Sequence, residues 1–366
     1  MNGTIIGAIE KELSQLWQPD HQARLSGHFG RQQNYTINLV VFARTETVCR
    51  HVDQVLRALT GSHPGRYVII CPAAASAGGL PQHEISAHCV YVPGRRKRIC
   101  CDLIKLSAHE PLLDQLSGLT LPLLIADLPV EFWWPAELPL ENSFFRKIAD
   151  KADRVWIDSS AFQEPQQYLA RLAGQWRQLF PHTALADLNW VRFQRWRVLI
   201  AELFDGEWVA ALSRIQQLTI EYGEGSTPTR AFLLLGWLAS RLGWRYAGRQ
   251  VPDFPARLEF EAAAGRVTVT VKAVPVQDPK RDRLYAVIFR TGNGQAATFT
   301  VKRAADPQCV IASSEIHGQP PKSRLLYFEH LETMALLGEG LRHWGRDWVW
   351  EETLAVVGDI FTVGGV

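Results

Sequence analysis

Hydrophobic residues follow two different patterns along the chain, and the change lies near residue 180. In the first part, short apolar runs such as residues 67–71 alternate with stretches of helical spacing such as residues 45–59. Strands that alternate with helices are typical of an α/β layer with a largely parallel sheet. In the second part, apolar and polar residues alternate, which predicts an antiparallel sheet over residues 257–263, 267–273, 284–290 and 297–303.

Pro181, His182 and Thr183 interrupt the pattern between the two parts. We therefore predict an N-terminal α/β domain of residues 1–180 and a C-terminal α+β domain of residues 181–366. Further spacing predicts a hairpin over residues 83–92 and 99–106, and helices over residues 5–17 (with Thr4 as N-cap), 188–204, 228–242, 325–341 and 348–360.

The stretch of residues 121–135 combines an apolar run, one acid and two adjacent tryptophans. The run of residues 121–126 predicts a buried strand that ends at Asp127, whose carboxylate we expect to fix the turn at Leu128 and Pro129. A second strand follows and carries Trp133 and Trp134. Neighbouring residues of a strand point to opposite faces, so both faces should be covered.

Several short motifs lie between residues 38 and 244. They are Asn38-Leu39-Val40-Val41; Asp127-Leu128-Pro129-Val130 with Trp133 and Trp134; Ala152-Asp153-Arg154-Val155 with Asp158, Ser159 and Ser160; Asp187-Leu188-Asn189-Trp190 with Arg192, Trp196 and Arg197; and Leu235-Gly236-Trp237-Leu238-Ala239 with Leu242-Gly243-Trp244. In this order they resemble the signature of the glucose-6-phosphate dehydrogenase assembly protein family, OpcA.

The resemblance implies a function without catalysis or cofactor. A protein of this family is expected to bind glucose-6-phosphate dehydrogenase, to promote its active oligomer and to raise its apparent substrate affinity in the oxidative pentose phosphate pathway. It would act as an allosteric activator. In photosynthetic bacteria the family is linked to thioredoxin-dependent control, which would add thioredoxin as a partner, but no cysteine here matches a specific redox role.

An enzyme or sensor that binds a nucleotide or sugar phosphate through the α/β layer is the alternative. The sequence has no G-x-G-x-x-G after a strand, no P-loop, no G-x-S-x-G and no H-E-x-x-H motif, so we predict no catalytic or metal-binding residues. Residues 223–228 open a predicted helix, where free N–H groups can hold a phosphate. A helix capped by Ser226 or Thr227, with Pro228 at its first position, explains the same residues more simply.

Composition narrows the partners. The formal net charge of +2 gives no ground for nucleic-acid binding. No stretch is long and apolar enough to predict a membrane span, and residues 1–10 lack the pattern of a secretory signal. Six cysteines without a C-x-x-C pair suit a reducing cytoplasm.

A segment rich in tryptophan and arginine is the main candidate for partner binding. It contains Asn189, Trp190, Arg192, Arg195, Trp196 and Arg197. Tryptophan and arginine dominate the residues that contribute most to binding at protein interfaces. Cation–π contacts and core packing would explain the same composition, and both interpretations stay open.

A basic loop and two cysteines are weaker candidates. Arg95, Arg96, Lys97 and Arg98 lie at the predicted hairpin tip, where they would either attract an acidic partner or remain a solvated loop, which we prefer. Cys100 and Cys101 are adjacent and should face opposite ways in a strand, so they are not expected to pair with each other. We predict buried, unreactive thiols.

Overall fold

The computed structural model describes residues 2–17, 31–33, 35–72, 81–91, 98–109, 112–225, 227–251, 255–276, 284–292, 296–306, 308–327 and 331–362. Contacts between residues group the chain into two compact units. Unit 1 comprises Met1–Asp158, Phe180–Leu188 and Glu332–Arg346, and unit 2 comprises Ser159–Leu179, Asn189–Leu331 and Asp347–Val366. The domain boundary predicted between residues 180 and 181 refers to domains that fold independently. It stays a prediction.

The elements are numbered here in chain order. The strands are β1 (Arg31–Gln33), β2 (Ile37–Phe42), β3 (Gly65–Pro72), β4 (Gln82–Val90), β5 (Arg98–Ala108), β6 (Val130–Trp133), β7 (Arg154–Ile157), β8 (Ala184–Asp187), β9 (Ile215–Gly223), β10 (Arg245–Val251), β11 (Ala256–Ala262), β12 (Gly265–Val274), β13 (Ala286–Thr291), β14 (Ala297–Arg303), β15 (Cys309–Ile316) and β16 (Lys322–Tyr327). The helices are α1 (Asn2–Leu16), α2 (Glu46–Leu59), α3 (Leu113–Thr120), α4 (Ser143–Ala149), α5 (Pro165–Leu179), α6 (Leu188–Arg192), α7 (Gln194–Leu203), α8 (Thr229–Leu242), α9 (Thr333–Leu341) and α10 (Trp348–Thr362). Single 3-10 turns cover Leu121–Leu123, Ser159–Ala161 and Gly206–Arg214.

Unit 1 contains a doubly wound sheet in the order β1-β5-β3-β2-β6-β7-β8. Neighbouring strands on this path are parallel, and β4 adds to β5 in the antiparallel direction as predicted. If β2, β3, β5, β6, β7 and β8 are counted as the first to sixth strands, their order is 3-2-1-4-5-6. The strand order reverses between β2 and β6, and this switch point is where open α/β sheets usually bind ligands.

The centre of this sheet follows from the apolar runs. Every residue of β2 is buried, as expected for a strand with helices on both faces. Thr45 caps α2, because its Oγ1 accepts a hydrogen bond from the Val48 amide at 3.2 Å. At Gly65 a Cβ atom would lie 2.2 Å from the Ile37 carbonyl oxygen, so only glycine allows β3 to approach β2 here.

Unit 2 contains the second sheet, in the order β10-β11-β12-β9-β13-β14-β15-β16. Only the β12–β9 pair is parallel among these neighbours. The alternation seen in the sequence places Val269, Phe289 and Val301 on the buried face, and each is 0% exposed. The predicted fold class, with an antiparallel sheet in the C-terminal part, is confirmed.

Several predicted elements have different boundaries or different structures. The apolar run at residues 121–126 is not a strand, because Leu121–Leu123 continues α3 as a 3-10 turn in which Pro122 needs no amide partner. The helix predicted over residues 188–204 breaks at Phe193 into α6 and α7. Arg197 Nη1 bonds to the carbonyl of Trp190 at 2.9 Å, so the side chain satisfies an oxygen that the break leaves without a helical donor.

Two terminal helices also differ from the prediction. The start of the helix predicted over residues 325–341 belongs to β16, whose pairing with β15 wins over local helical spacing. The helical part, α9, belongs to unit 1, whereas the prediction placed it in the C-terminal domain. Helix α1 begins at Asn2, so Thr4 lies inside it and is not its N-cap.

Candidate functional site

The switch point of the unit 1 sheet is filled by aromatic side chains. Phe42 ends β2, and Trp134 directly follows β6. Their rings stack with centroids 4.1 Å apart and planes 5° apart. Phe145 and Trp134 form a T-shaped pair with ring centroids 5.3 Å apart, and Phe42 and Trp134 are 6% and 5% exposed. The crevice that a nucleotide would occupy in a sheet of this order therefore belongs to the core.

The turn before β6 is fixed by Asn38, a fully buried residue of β2. Its Oδ1 accepts a hydrogen bond from the Ile125 amide at 2.8 Å, and its Nδ2 donates to the carbonyls of Ile125 and Leu128 at 2.9 and 3.2 Å. Asp127 itself is exposed and has a φ of 62°, which Asp adopts more readily than most residues. The prediction that the Asp127 carboxylate fixes this turn was wrong, because the amide of Asn38 does so.

Trp133 and Trp134 behave as the alternation of a strand requires. Trp133 is 2% exposed on the face opposite to Trp134, so both faces of the segment are covered as predicted. Trp134 Nε1 donates to the carbonyl of Glu137 at 3.1 Å. Both indoles are therefore core residues of unit 1.

A buried ion pair lies beside these tryptophans. Arg154 Nε and Nη2 donate to the two carboxylate oxygens of Glu131, both at 2.9 Å, and neither residue is more than 6% exposed. Trp156 Nε1 donates to the same carboxylate at 2.6 Å. The remaining Arg154 Nη1 donates to the carbonyl of His343 at 2.5 Å. The pair thus ties the loop after α9 to the centre of unit 1.

The tryptophan–arginine segment lies mostly inside unit 2. Trp190 and Trp196 are 5% and 1% exposed, and Trp190 Nε1 donates to Asp347 Oδ2 at 2.8 Å. The guanidinium of Arg197 lies 3.5 Å from the centre of the Trp190 ring, and burial lowers the pKa of Arg197 to about 9. Packing accounts for these three residues. Arg195 is exposed, so the partner-binding role of the segment stays a prediction that now depends mainly on Arg195.

Asn189 joins three other polar residues within unit 2. It is fully buried, accepts from Arg230 Nε at 2.7 Å and from Arg192 Nη1 at 3.3 Å, and donates to Ser159 Oγ at 3.1 Å. Arg192 also donates to Ser160 Oγ at 3.1 Å. The signature residue Asp158 ends unit 1 immediately before Ser159.

The remaining predicted loops are only partly described. Arg95, Arg96 and Lys97 lie outside the described residues, and Arg98 opens β5 as an exposed residue. Ser226 also lies outside them. Helix α8 begins at Thr229, with Pro228 in the N-cap position and no side-chain cap, so the predicted capping arrangement is wrong by one residue.

The cysteines depart from the prediction of free thiols. Cys89 lies directly opposite Cys100 in the β4–β5 ladder, with Cα atoms 4.0 Å apart, and the two form a disulfide. A second disulfide joins Cys49 to Cys71. Cys101 does face away from Cys100 and is a buried thiol, 3.1 Å from Thr60 Oγ1, and burial raises its pKa. The register of β4 and β5 places Cys89 opposite Cys100, and the spacing of residues in the sequence does not reveal that register.

No helix among the described residues is long and apolar enough to cross a membrane. The described side chains also contain no group of three or more His, Cys, Asp or Glu residues placed to hold a metal ion.

Comparison with known proteins decides the family. A model described as the glucose-6-phosphate dehydrogenase subunit N-terminal domain matches residues 56–174, and one described as the C-terminal domain of that subunit matches residues 183–354. The chain is 31% identical over 310 residues to a putative OxPP cycle protein OpcA from Synechocystis, and 33% identical over 313 residues to that of Nostoc punctiforme. It is 30% identical over 305 residues to that of Synechococcus elongatus, and the match covers 67% of that relative. The chain belongs to the OpcA family.

The matches to the Synechocystis and Nostoc relatives cover 82% of this chain but 64% and 65% of theirs, so the chain spans about two thirds of their length. A crystal structure of a probable dehydrogenase from Thermotoga maritima covers 88% of this chain and 95% of its own with a TM-score of 0.40 and 11% identity. A similarity that low gives no information on function.

Three features of this OpcA-family chain were not predicted from its sequence. They are the stacking of Phe42 on Trp134, the Glu131–Arg154 pair, and an exposed tryptophan, Trp344, in the loop after α9. The signal for the first was present, since an aromatic residue ends β2 where a glycine-rich turn would begin in a nucleotide-binding sheet.

Proposed function

We propose that this chain is a non-catalytic assembly factor and allosteric activator of glucose-6-phosphate dehydrogenase, and that it acts by protein–protein binding in the oxidative pentose phosphate pathway. Two findings support the proposal. The matching family models are described as domains of a glucose-6-phosphate dehydrogenase subunit, and the relatives are named OxPP cycle proteins. A cytoplasmic location and thioredoxin as a second partner stay predictions of the resemblance.

The observation that favours binding over catalysis is the filled switch point. A doubly wound sheet binds nucleotides in the crevice between its first and fourth strands. Here Phe42 and Trp134 stack in that crevice at 4.1 Å, and Thr45 caps the helix whose N-terminus would face a phosphate. The alternative of a nucleotide-binding enzyme would require both aromatic rings to leave the core.

Activation follows from unequal binding to two states of the dehydrogenase. A protein that binds the competent state more tightly than the resting state shifts the population toward the competent state. A tenfold difference in affinity corresponds to about 1.4 kcal/mol of coupling. We expect the shift to appear mainly as a lower apparent KM for glucose 6-phosphate.

The test is co-purification with the dehydrogenase of the same organism, with and without glucose 6-phosphate. The mass of any complex is then measured in solution. We expect a complex of defined mass that contains the dehydrogenase as a higher oligomer. A dehydrogenase that elutes alone, at its own mass, under both conditions would disprove the proposal.

The basic loop contributes to this function if it steers the partner. Replacing Arg95, Arg96, Lys97 and Arg98 with serine should then slow association and flatten its dependence on salt, without lowering the melting temperature. Equal association rates at low salt would show that the loop is merely solvated. Arg195→Ser, made alone, tests the exposed part of the tryptophan–arginine segment by the same measurement.

A further inference from the structure

The loop of residues 342–346, directly after α9 in unit 1, displays a tryptophan to solvent. Trp344 is 59% exposed, and no hydrogen bond or ring contact involves its side chain within the described part of the chain. A buried aromatic side chain removes roughly 150–250 Å² from water. Burial of the exposed indole by a partner would therefore contribute a large hydrophobic free energy to binding.

The backbone of this loop is held on both sides of Trp344. On one side, the carbonyl of His343 accepts from Arg154 Nη1 at 2.5 Å, and Arg154 is itself fixed by two bonds to buried Glu131. On the other side, Arg346 Nη2 donates to the carbonyl of Pro181. The exposed indole thus projects from an anchored loop.

The helix that leads into the loop is also fixed. At Gly340, a Cβ atom would lie 2.4 Å from the ring of Trp156, so the end of α9 rests directly on that ring. Trp156 Nε1 in turn donates to Glu131 at 2.6 Å. Gly345 has a φ of 79°, which favours glycine, and turns the chain immediately after Trp344. A side chain displayed from such a support loses little freedom when a partner binds.

The charges of the loop select the partner. Arg342 and His343 are exposed beside Trp344, and residues 342–346 contain no acidic side chain. Arg342 is bridged to Glu339 at 3.0 Å, but with 65% of its side chain exposed it remains open to a second carboxylate. An acidic surface is therefore the complementary one.

We propose that Trp344, flanked by Arg342 and His343, is the anchor with which this chain docks onto an acidic protein surface that has a pocket for an indole. The proposal rests on the function proposed above and places that surface on the dehydrogenase. Tryptophan and arginine are the residue types that most often carry binding energy at interfaces. The tryptophan–arginine segment of residues 189–197 has the same composition, but its two tryptophans are buried, whereas Trp344 is accessible.

The experiment measures the dissociation constant between immobilised dehydrogenase and the full-length chain. Trp344→Ala should weaken binding at least roughly tenfold, since anchors of this kind contribute more than other contacts. Its melting temperature should match that of the parent. Tyr327→Ala is the control, because Tyr327 is an aromatic residue of similar exposure, 67%, on the edge strand β16 of unit 2. It should bind as the parent does.

Arg342→Glu gives an independent readout. Placing a carboxylate beside the anchor should slow association with an acidic surface, and more so at low salt. If Trp344→Ala lowers the melting temperature, the association rate of Arg342→Glu tests the docking surface instead. A rate equal to that of the parent would show that the anchor lies elsewhere.

The outcomes separate the two proposals. If the parent binds and both variants bind equally well, the docking surface is wrong and the proposed function stands. If the parent itself does not bind the dehydrogenase, with or without substrate, both proposals are wrong.

Discussion

Trp134 and Trp344 are tryptophans of the same compact unit, yet one is 5% exposed and the other 59%. Trp134 follows β6 and stacks on Phe42, where it closes the crevice of the sheet. Trp344 follows α9 on a loop whose carbonyl at His343 is held by Arg154. The first fills the crevice in which a sheet of this order usually binds a ligand, and the second is the residue that we propose for docking. One unit therefore uses the same residue type both to complete its core and to present an exposed ring.

The largest effect expected from this comparison is on stability. Trp134→Ala removes a buried indole and leaves a cavity, so the free energy of unfolding should fall by about 3–5 kcal/mol. Trp133→Ala should cost a similar amount. Trp344→Ala should change it by no more than about 0.5 kcal/mol, as exposed positions usually do. Urea unfolding of the three variants measures this, and equal losses for Trp134 and Trp344 would break the comparison.

The support of the exposed loop should be nearly as costly to disturb. Glu131→Leu leaves buried Arg154 without its carboxylate, which typically costs about 3–5 kcal/mol. The double variant Glu131→Leu with Arg154→Met removes both charges and should recover much of this loss. If thermal unfolding shows the double variant to be less stable than Glu131→Leu alone, the pair has a role beyond charge compensation.

The turn before β6 should show a smaller loss. Asn38→Ala leaves the amide of half-buried Ile125 and the carbonyl of Leu128 without their partner, which typically costs about 1–3 kcal/mol. Asp127→Gly should be close to neutral, because glycine adopts the φ of 62° at that position readily. A large loss of unfolding free energy for Asp127→Gly, measured by chemical unfolding, would show that the Asp127 carboxylate does fix this turn.

The smallest effect is a dependence of stability on pH that His63 causes. Burial lowers the pKa of His63, and so does the positive charge of Arg342, whereas the negative charge of Glu339 raises it. Since the unfolded chain binds this proton more readily, the contribution of His63 is present above its ordinary pKa near 6.5 and is lost as the pH falls through the lowered value. His63→Gln should reduce the loss of stability between pH 7.5 and 5. An unchanged loss would show that other groups cause it.

The local spacing of apolar residues predicts much of the fold, because strands such as β3 and β9 and helices such as α2 bury the faces that this spacing defines. It does not predict contacts between residues that are far apart in the sequence. Asn38 meets Ile125 across 87 positions of sequence, and Cys89 meets Cys100 only through strand register. The same limit applies to the candidate site. Trp190 and Trp344 both lie near arginines in the sequence, and only tertiary packing makes the first a core residue and the second a surface residue.

The central claim is that this chain activates a glucose-6-phosphate dehydrogenase by binding to it. Its most direct test is the rate of the dehydrogenase as a function of glucose 6-phosphate, at increasing concentrations of the parent chain and of Trp344→Ala. We expect the parent to lower the apparent KM until it saturates, and Trp344→Ala to require at least roughly tenfold more protein for the same effect. Unchanged kinetics and an unchanged oligomer at saturating parent would contradict the account.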